Sequence, residues 1–484
     1  MKARANFFST EAAGTVRPGH VLLVMSMTNW MAAFLTSSIN IALPTIQTEF
    51  HLGPVALGWI PLCYILAAAV VLVPFGRIAD RAGRRLIFVV GLAILFVGTT
   101  AVIFVDTYVL LIIFRAMQGV GSGMVFASST AAVTLAYPRA RRGFAMGVMA
   151  MAAYAGQAMG PPIGGIIVYN IGWRGLFVVG ACYGAVNLFL DAWLLRRAEW
   201  RDTVSARFDW PGSIAYGLFL SAFLLGLSWL PLARGVALAV IGIAGLAGFA
   251  WWESRAASPV FDVKLFRHNR LFALSNLTAL ISYASAWALT FLMSLYLQDI
   301  RGLNPQAAGL LLIVGVALQA AVSPFGGRLA DRVQPRWVVS GGLGLCVLGL
   351  ASFTLLGFTT PYWQILIALC ALGLGYAFFS GPNQSAIMSS VERKNVGVAS
   401  AGLGTMRVVG QAMSIALATL VLAAVVGRHE IKPADYPNLL TAIHISFAIM
   451  AVLAALSVVA SLARGEVPAG QRPAEPAPPP DTCP

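Results

Sequence analysis

The stretch Pro74-Phe-Gly-Arg-Ile-Ala-Asp-Arg81 recurs later in the chain as Pro324-Phe-Gly-Gly-Arg-Leu-Ala-Asp-Arg332, with one extra glycine. Each copy follows an apolar run long enough to cross a bilayer, and another such run comes after it. A polar loop repeated between paired apolar runs is typical of a chain in which one bundle of membrane helices has been duplicated. The sequence therefore predicts an all-α membrane protein built from two related halves.

Composition supports a membrane location. Hydrophobic residues make up 59% of the 484 residues and charged residues only 10%, whereas soluble domains carry roughly 25% charged residues. A net charge of +14 would suit a nucleic-acid partner. However, the basic residues lie in short loops between apolar runs and not on a soluble module, so we expect no nucleic acid to bind.

Fourteen apolar stretches have about the 20 residues that a spanning helix needs. A second internal match, Gly156-Gln-Ala-Met159 with Gly410-Gln-Ala-Met413, falls in the fifth and thirteenth stretches and supports the duplication. The predicted organisation is two pseudo-symmetric six-helix bundles with two extra central helices. Its parts are a cytoplasmic N-terminal segment 1–19, a first bundle 20–200, a linker with the two extra helices 201–262, a second bundle 263–464 and a disordered Pro-rich tail 465–484.

The basic residues also predict orientation. If the N-terminus is cytoplasmic, 25 of the 32 Lys and Arg side chains fall in inward-facing segments, the bias that the positive-inside rule describes. We therefore expect a multi-pass protein of a bacterial-type inner membrane with both termini in the cytoplasm. The exceptions are the outward Arg174, Arg234, Arg301, Arg428 and Lys432, and the intramembrane Arg115 and Arg407.

The repeated loop carries the residues for a cytoplasmic latch. Its glycines permit tight turns, and its aspartate can accept hydrogen bonds at a helix start or pair with a neighbouring arginine. Such a cluster can hold neighbouring helices in one state and release them in another; a plain charged loop is the alternative. The residues concerned are Gly76, Asp80, Arg81, Gly83, Arg84, Arg328, Asp331 and Arg332.

The fifth apolar stretch has a row of small residues, Gly156, Gly160, Gly164 and Gly165, beside Pro161. Glycines at this spacing let a neighbouring backbone approach closely, and proline removes a helix hydrogen bond and bends the helix. The pattern predicts a seal or pivot, with ordinary tight packing as the alternative.

Together these motifs resemble those of the major facilitator superfamily. The repeated loop is similar to the signature loop between its second and third helices, and Arg115 with the glycines after it resembles a fourth-helix motif. The stretch Gly156 to Gly165 resembles an antiporter motif, and Ser38 to Pro44 resembles the first-helix motif of the 14-helix drug:proton antiporter branch. The resemblance implies export of amphipathic small molecules, driven by the proton gradient and without a cofactor, with Arg115 and Arg407 as candidates for proton coupling.

One departure favours a different solute. Leu35 stands where that branch often has an aspartate, and no Asp or Glu lies deep in any predicted span. Organic cations need a carboxylate partner in a low-dielectric site, so Arg115 and Arg407 favour an alternative: an exporter or facilitator of an organic anion or lipid-like solute without the usual carboxylate-based coupling.

The polar and aromatic residues of the spans are candidates for the substrate cavity, with packing or lipid contact as the alternative for each. The partners we expect are a small-molecule solute and the lipid bilayer, and periplasmic adaptor proteins stay open. No CxxC pair and no HExxH or suitable GxSxG motif occurs, so we expect neither a metal site nor an enzyme. The cavity candidates are Asn40, Gln118, Tyr154, Gln157, Tyr283, Trp287, Asn383 and Gln411.

Overall fold

The structure is a computed structural model that describes residues 16–138, 141–196, 209–230, 232–255, 263–391 and 396–465. Most of the predicted N-terminal segment and nearly all of the predicted tail therefore lie outside the described residues. Six long helices form an N-terminal bundle: α1 Pro18–Phe50, α2 Pro54–Ala82, α3 Arg84–Val102, α4 Tyr108–Ala136, α5 Arg142–Ile171 and α6 Arg174–Leu194.

Two further helices and a second bundle follow. The extra pair is α7 Trp210–Trp229 and α8 Ala233–Glu253. The short α9 Val263–His268 leads into a span made of α10 Arg270–Ala286, α11 Leu289–Leu295 and a π-helical turn Tyr296–Ile300. The C-terminal bundle continues with α12 Pro305–Arg332, α13 Pro335–Phe353, α14 Tyr362–Ser389, α15 Val396–Val425 and, after a 3₁₀ turn Pro433–Asp435, α16 Tyr436–Ala463.

Capping residues set where several helices begin. The side chain of Asn269 accepts a hydrogen bond from the N–H of Phe272 at the start of α10, and Asn304 accepts one from Ala307 at the start of α12. Proline occupies the first turn of α1, α2 and α12, where its missing N–H has no intrahelical partner to lose. These caps and prolines determine the residues at which the helices begin.

Thirteen helical segments of the described chain are long and apolar enough to cross a membrane, with α10, α11 and the π turn counted as one. The fifth helix, α5, has 30 residues but is not among the thirteen. Its many glycines and its Gln and Pro residues lower its apolar content. The count of fourteen spans therefore stays a prediction at α5.

The two bundles repeat the same packing order. In the N-terminal bundle α1 packs on α5 and α6, α2 on α4, and α3 on α4 and α6. In the C-terminal bundle α10 packs on α15 and α16, α12 on α14, and α13 on α14 and α16. The bundles meet along two seams, α5 with α12 and α2 with α15. In the packing order above, α2 is equivalent to α12 and α5 to α15, so the duplication relates one seam to the other. This is the packing that a duplicated six-helix unit produces.

The extra helices lie against one seam. α7 packs on both α2 and α15, and α8 packs on α7. Tyr216 and Leu220 of α7 share a buried cluster with Ile65 of α2 and Ile415 of α15. The hydroxyl of Tyr216 also donates a hydrogen bond to the carbonyl oxygen of Ala69 at 3.2 Å. α7 thus covers the α2–α15 seam and leaves the α5–α12 seam without it.

The bundles are packed together at one end, which we call the sealed end: the end at which α1 finishes and α2 starts. The largest buried cluster lies there and combines Ile41, Leu57 and Trp173 of the N-terminal half with Leu295 and Leu422 of the C-terminal half. Among the described residues, the clusters nearer the opposite end belong to single bundles, apart from the one that includes α7. The two halves are therefore joined more tightly at the sealed end.

Candidate functional site

A cavity lies between the bundles, near the middle of the helices that line it. Its empty volume is about 930 Å³, part of it open to solvent. Helices α1 and α5 line it from the N-terminal bundle, and α10, α11, α12, α14 and α15 from the C-terminal bundle. The predicted site residues that the structure brings together here are Asn40, Tyr154, Gln157, Tyr283, Trp287 and Arg407.

Arg407 is the only charged side chain among the described lining residues. It is half-buried on α15. Its guanidinium carbon lies 5.5 Å from the centre of the Tyr283 ring, a distance at which the negative face of the ring attracts a cation. Within the described chain, Arg407 makes no hydrogen bond or ion pair. The cavity therefore has a cation whose hydrogen-bonding capacity is open.

Three aromatic side chains, Tyr283, Trp287 and Tyr376, line the cavity on the C-terminal side. Tyr283 packs edge-on against Phe379 with ring centres 6.0 Å apart, and Tyr376 packs edge-on against the same ring at 5.8 Å. The Tyr376 hydroxyl donates a hydrogen bond to the Ser282 carbonyl oxygen at 2.8 Å. These contacts hold the rings in place, so they offer a preformed surface for a flat ligand.

The helix that carries Tyr283 is interrupted at the cavity. α10 ends at Ala286 and α11 begins at Leu289. Trp287, between them, lines the cavity, and the backbone N–H of Ala288 donates a hydrogen bond to the Ser414 hydroxyl at 3.0 Å. Helix breaks at membrane depth occur where backbone borders a cavity or is buried in protein, which is the situation here.

The N-terminal side contributes polar groups. The Ser37 hydroxyl of α1 donates a hydrogen bond to the carbonyl oxygen of Gln157 in α5 at 2.9 Å. Asn40 is buried, with 4% of its surface exposed, and its Oδ1 atom has no hydrogen-bond partner in the described chain. A buried acceptor without a partner is costly, so Asn40 is suited to accept a hydrogen bond from a bound solute.

The small residues of α5 pack against α1. A methyl group added at Gly160 would lie 2.6 Å from Cβ of Ser37, and one at Gly164 would lie 2.8 Å from Cβ of Ser38. At Gly156 it would overlap the Trp30 carbonyl oxygen, and Gly165 makes the same close approach to Pro305 of α12. The predicted close approach is thus present, and α5 is one continuous helix through Pro161. The role as a seal or pivot stays a prediction.

Arg115, a candidate for proton coupling, does not line the cavity. It is fully buried between α2 and α4 and is not among the lining residues. Its guanidinium donates to the Ile60 carbonyl oxygen at 3.3 Å and to Oε1 of Gln118 at 2.8 Å, and it lies 4.6 Å from the Tyr64 ring centre. Gln118 is therefore a partner of Arg115 and does not line the cavity either.

Two other cavity candidates have different positions. Gln411 is buried but does not line the cavity. Asn383 accepts a hydrogen bond through Oδ1 from Arg464 at 2.8 Å and donates one to the Ser275 carbonyl oxygen at 3.1 Å. Arg464 directly follows α16, and burial lowers its pKa to about 10. Because a basic residue at the end of a span reads as a loop charge, sequence reasoning missed this buried contact.

The latch residues are only partly described. The side chains of Asp80 and Asp331 lie outside the described residues, so their pairing stays a prediction. Gly83, with φ of +107°, forms the turn between α2 and α3, while Arg81 and Arg332 are exposed. For the remaining latch residues, Gly76 has open space around it, Arg84 is buried, and the Arg328 guanidinium lies 6.0 Å from the Phe325 ring centre.

Two carboxylates, Asp191 and Asp299, lie within helical segments. Asp191 of α6 forms an ion pair with Arg85 of α3 at 3.3 Å. Asp299 is half-buried at the sealed end, and its Oδ2 atom has no hydrogen-bond partner in the described chain.

Comparisons with known proteins agree with this architecture. A model of the Major Facilitator Superfamily matches residues 25–275 and 275–482. The multidrug resistance protein Stp of Mycobacterium tuberculosis is 30% identical over 393 residues, covering 80% of this chain and 72% of Stp. The riboflavin transporter RibZ of Clostridioides difficile is 27% identical over 390 residues, covering 80% and 84%. A bacterial homolog of the human lysosomal transporter Spinster, inward-facing and unoccupied, superposes with a TM-score of 0.67 at 17% identity, covering 92% and 96%. The predicted fold class is confirmed.

Proposed function

Because the chain belongs to the Major Facilitator Superfamily, we propose that it exports amphipathic small molecules by alternating access, in exchange for protons. The chain is a multi-pass membrane transporter and not an enzyme. Export, proton exchange and the chemical class of solute are the parts that we propose.

The cavity between the two bundles is the observation that carries the proposal. It borders residues of both halves and lies beside the cluster that joins the halves at the sealed end. A site between two bundles can face either side of the membrane if the bundles rock about it. Amphipathic solutes fit because the wall combines aromatic rings with a few polar groups.

The orientation follows from the charge of the loops. If both termini are cytoplasmic in an inner membrane, the sealed end faces outward and the structure is an inward-facing state. In that state the cavity would take up solute from the cytoplasm. The name of Stp, a multidrug resistance protein, supports export, and the name of RibZ, a riboflavin transporter, supports a flat heteroaromatic solute.

Proton exchange rests on the resemblance of the α5 stretch and of Arg115 to antiporter motifs. In everted membrane vesicles with an established proton gradient, a pH-sensitive dye should report loss of that gradient when a transported solute is added. The control is vesicles from cells without the protein. If a solute shown to accumulate in the vesicles leaves the gradient unchanged, the protein is not a proton antiporter.

A growth screen identifies the solutes to use. Cells that lack the protein should become more sensitive to compounds that it exports, and the panel should contain cationic, neutral and anionic amphiphiles. Restored resistance on expression of the full chain links the effect to this protein. Equal sensitivity of both strains across the panel would argue against drug export.

A further inference from the structure

We propose that the cavity selects an aromatic anion whose negative group pairs with the guanidinium of Arg407. This inference rests on the proposed function, because it names the class of solute that the same cavity would carry. It does not depend on proton exchange or on the direction of transport.

The first feature that favours an anion is the charge of the cavity lining. Arg407 lines the cavity, and no Asp or Glu is found among the described lining residues. In the described chain its only charge interaction is with the face of Tyr283. A cation in a cavity with low-dielectric walls attracts anions and repels cations more strongly than a cation in bulk water does. The planar guanidinium can also donate two parallel hydrogen bonds to a carboxylate.

The second feature is the arrangement of the aromatic side chains on the cavity wall. Tyr283 and Tyr376 are held edge-on against Phe379, and Trp287 lies on the wall at the break between α10 and α11. Rings fixed in this way favour a flat, aromatic partner over a flexible chain. The Arg407 guanidinium over the Tyr283 ring places the charge next to this surface.

The third feature is a buried hydrogen-bond acceptor. Oδ1 of Asn40 has no hydrogen-bond partner among the described residues, although Asn40 is more than nine-tenths buried. Asn40 lines the same cavity, so a hydroxyl or N–H group of the solute that reaches this oxygen would satisfy it. The structure thus favours an aromatic acid that also carries a hydrogen-bond donor.

Binding to the full chain in nanodiscs of phosphatidylcholine tests the inference, because this lipid supplies no net negative headgroup to compete. The probes are naphthoate, naphthamide and naphthylmethylammonium, each with a hydroxyl at the same ring position, so that they differ mainly in charge. Isothermal titration calorimetry at neutral pH should give an affinity for the anion at least tenfold higher than for the amide, with the cation weakest.

Three variants locate the effect. Arg407→Gln should bring the affinity for the anion down to that for the amide while amide binding is retained, which shows that the cavity is still folded. Arg407→Lys should keep part of the preference because the charge remains. Arg234→Gln removes an exposed charge at the start of α8 and should leave all three affinities unchanged.

Several outcomes would overturn the inference. These are equal or tighter binding of the cation, a preference for the anion that survives Arg407→Gln, and absence of naphthoate binding at millimolar concentration. Counterflow of the amide or the cation in proteoliposomes would then show that the protein still transports small molecules. Failure of the anion inference is thereby distinguished from failure of the proposed function.

Discussion

Gln298 of the C-terminal bundle donates a hydrogen bond from Nε2 to the carbonyl oxygen of Ile41 in the N-terminal bundle at 3.0 Å. The same amide group donates to the hydroxyl of Ser294 at 2.8 Å, which holds the side chain in position. This contact crosses between the two halves at the sealed end. This hydrogen bond must break if the halves separate there, so it favours the closed form of the sealed end over an open form.

Replacing Gln298 by leucine should shift that balance toward opening of the sealed end. A hydrogen bond contributes about 0.5–1.5 kcal/mol net, so the ratio of open to closed molecules should rise roughly two- to twelvefold. Spin labels can be placed at positions 106 and 359, which are both exposed in loops at this end. Double electron–electron resonance should then show a longer distance between the two labels. Gln364→Leu, at an exposed site on α14, is the control, and an unchanged distance distribution for Gln298→Leu would contradict the assignment.

The turn between α1 and α2 should be a stronger determinant of sealing. A methyl group added at Gly53 would overlap the carbonyl oxygen of Arg428 and lie 2.8 Å from that of His429. We expect Gly53→Ala to open the sealed end more than Gln298→Leu does and to reduce transport, as measured with the same labels and by uptake into vesicles. Gly19→Ala, where a methyl group meets no neighbour, should have no effect.

The contact between a histidine and a glutamate near that turn should matter little. His51 and Glu430 are 3.1 Å apart, but the His51 side chain is 76% exposed. Exposed pairs contribute about 0–1 kcal/mol, so Glu430→Gln should change the distance distribution less than Gly53→Ala. A larger effect of Glu430→Gln would show that charge, and not close backbone packing, holds this end together.

Packing of α5 on α1 gives a prediction about stability. Gly160→Ala would place its methyl group 2.6 Å from Cβ of Ser37 and would displace the Ser37–Gln157 hydrogen bond. Overpacking of this kind costs about 1–3 kcal/mol, so the melting temperature in detergent should fall and transport should decline with it. Gly147→Ala is a matched control on the same helix because a methyl group there meets no neighbour; equal melting temperatures for the two variants would argue against tight α1–α5 packing.

Arg115 should tolerate substitution by lysine less well than Arg407 does. Its guanidinium bridges the Ile60 carbonyl oxygen of α2 and the Gln118 side chain of α4, and a compact ammonium group cannot keep both contacts and the stacking on Tyr64. We expect Arg115→Lys to lower transport per folded molecule at least tenfold, measured in proteoliposomes after correction for protein amount. Wild-type rates for Arg115→Lys would show that positive charge at this depth is sufficient.

Much of the architecture could be predicted from the chain alone. The repeated loop and the repeated Gly-Gln-Ala-Met stretch indicated two related bundles, and the apolar runs indicated the spans, because a helix in lipid must be long and apolar whatever its neighbours are. The glycine row on α5 likewise predicted close helix packing. Such features depend on local composition and spacing, which are visible in one dimension.

The candidate site was predicted only in part. Arg115 and Arg407 look alike in the sequence, as charges within apolar runs, yet the first is enclosed between α2 and α4 while the second borders the cavity. Asn40 and Asn383 are likewise polar residues within spans, but Asn383 is engaged by Arg464. Which face of a helix meets a neighbour and which meets a cavity depends on helix rotation and on the partner helices.

The sequence by itself determined that this is a membrane protein with two duplicated helical bundles, because crossing a bilayer demands apolar length and duplication leaves a repeated string. Only the tertiary structure decided that the bundles are joined more tightly at one end, that α7 covers one seam, and that Arg407 is the charged side chain among the described lining residues of the cavity. These depend on contacts between residues far apart in the chain, whose geometry is set by packing and not by the order of residues along any one helix.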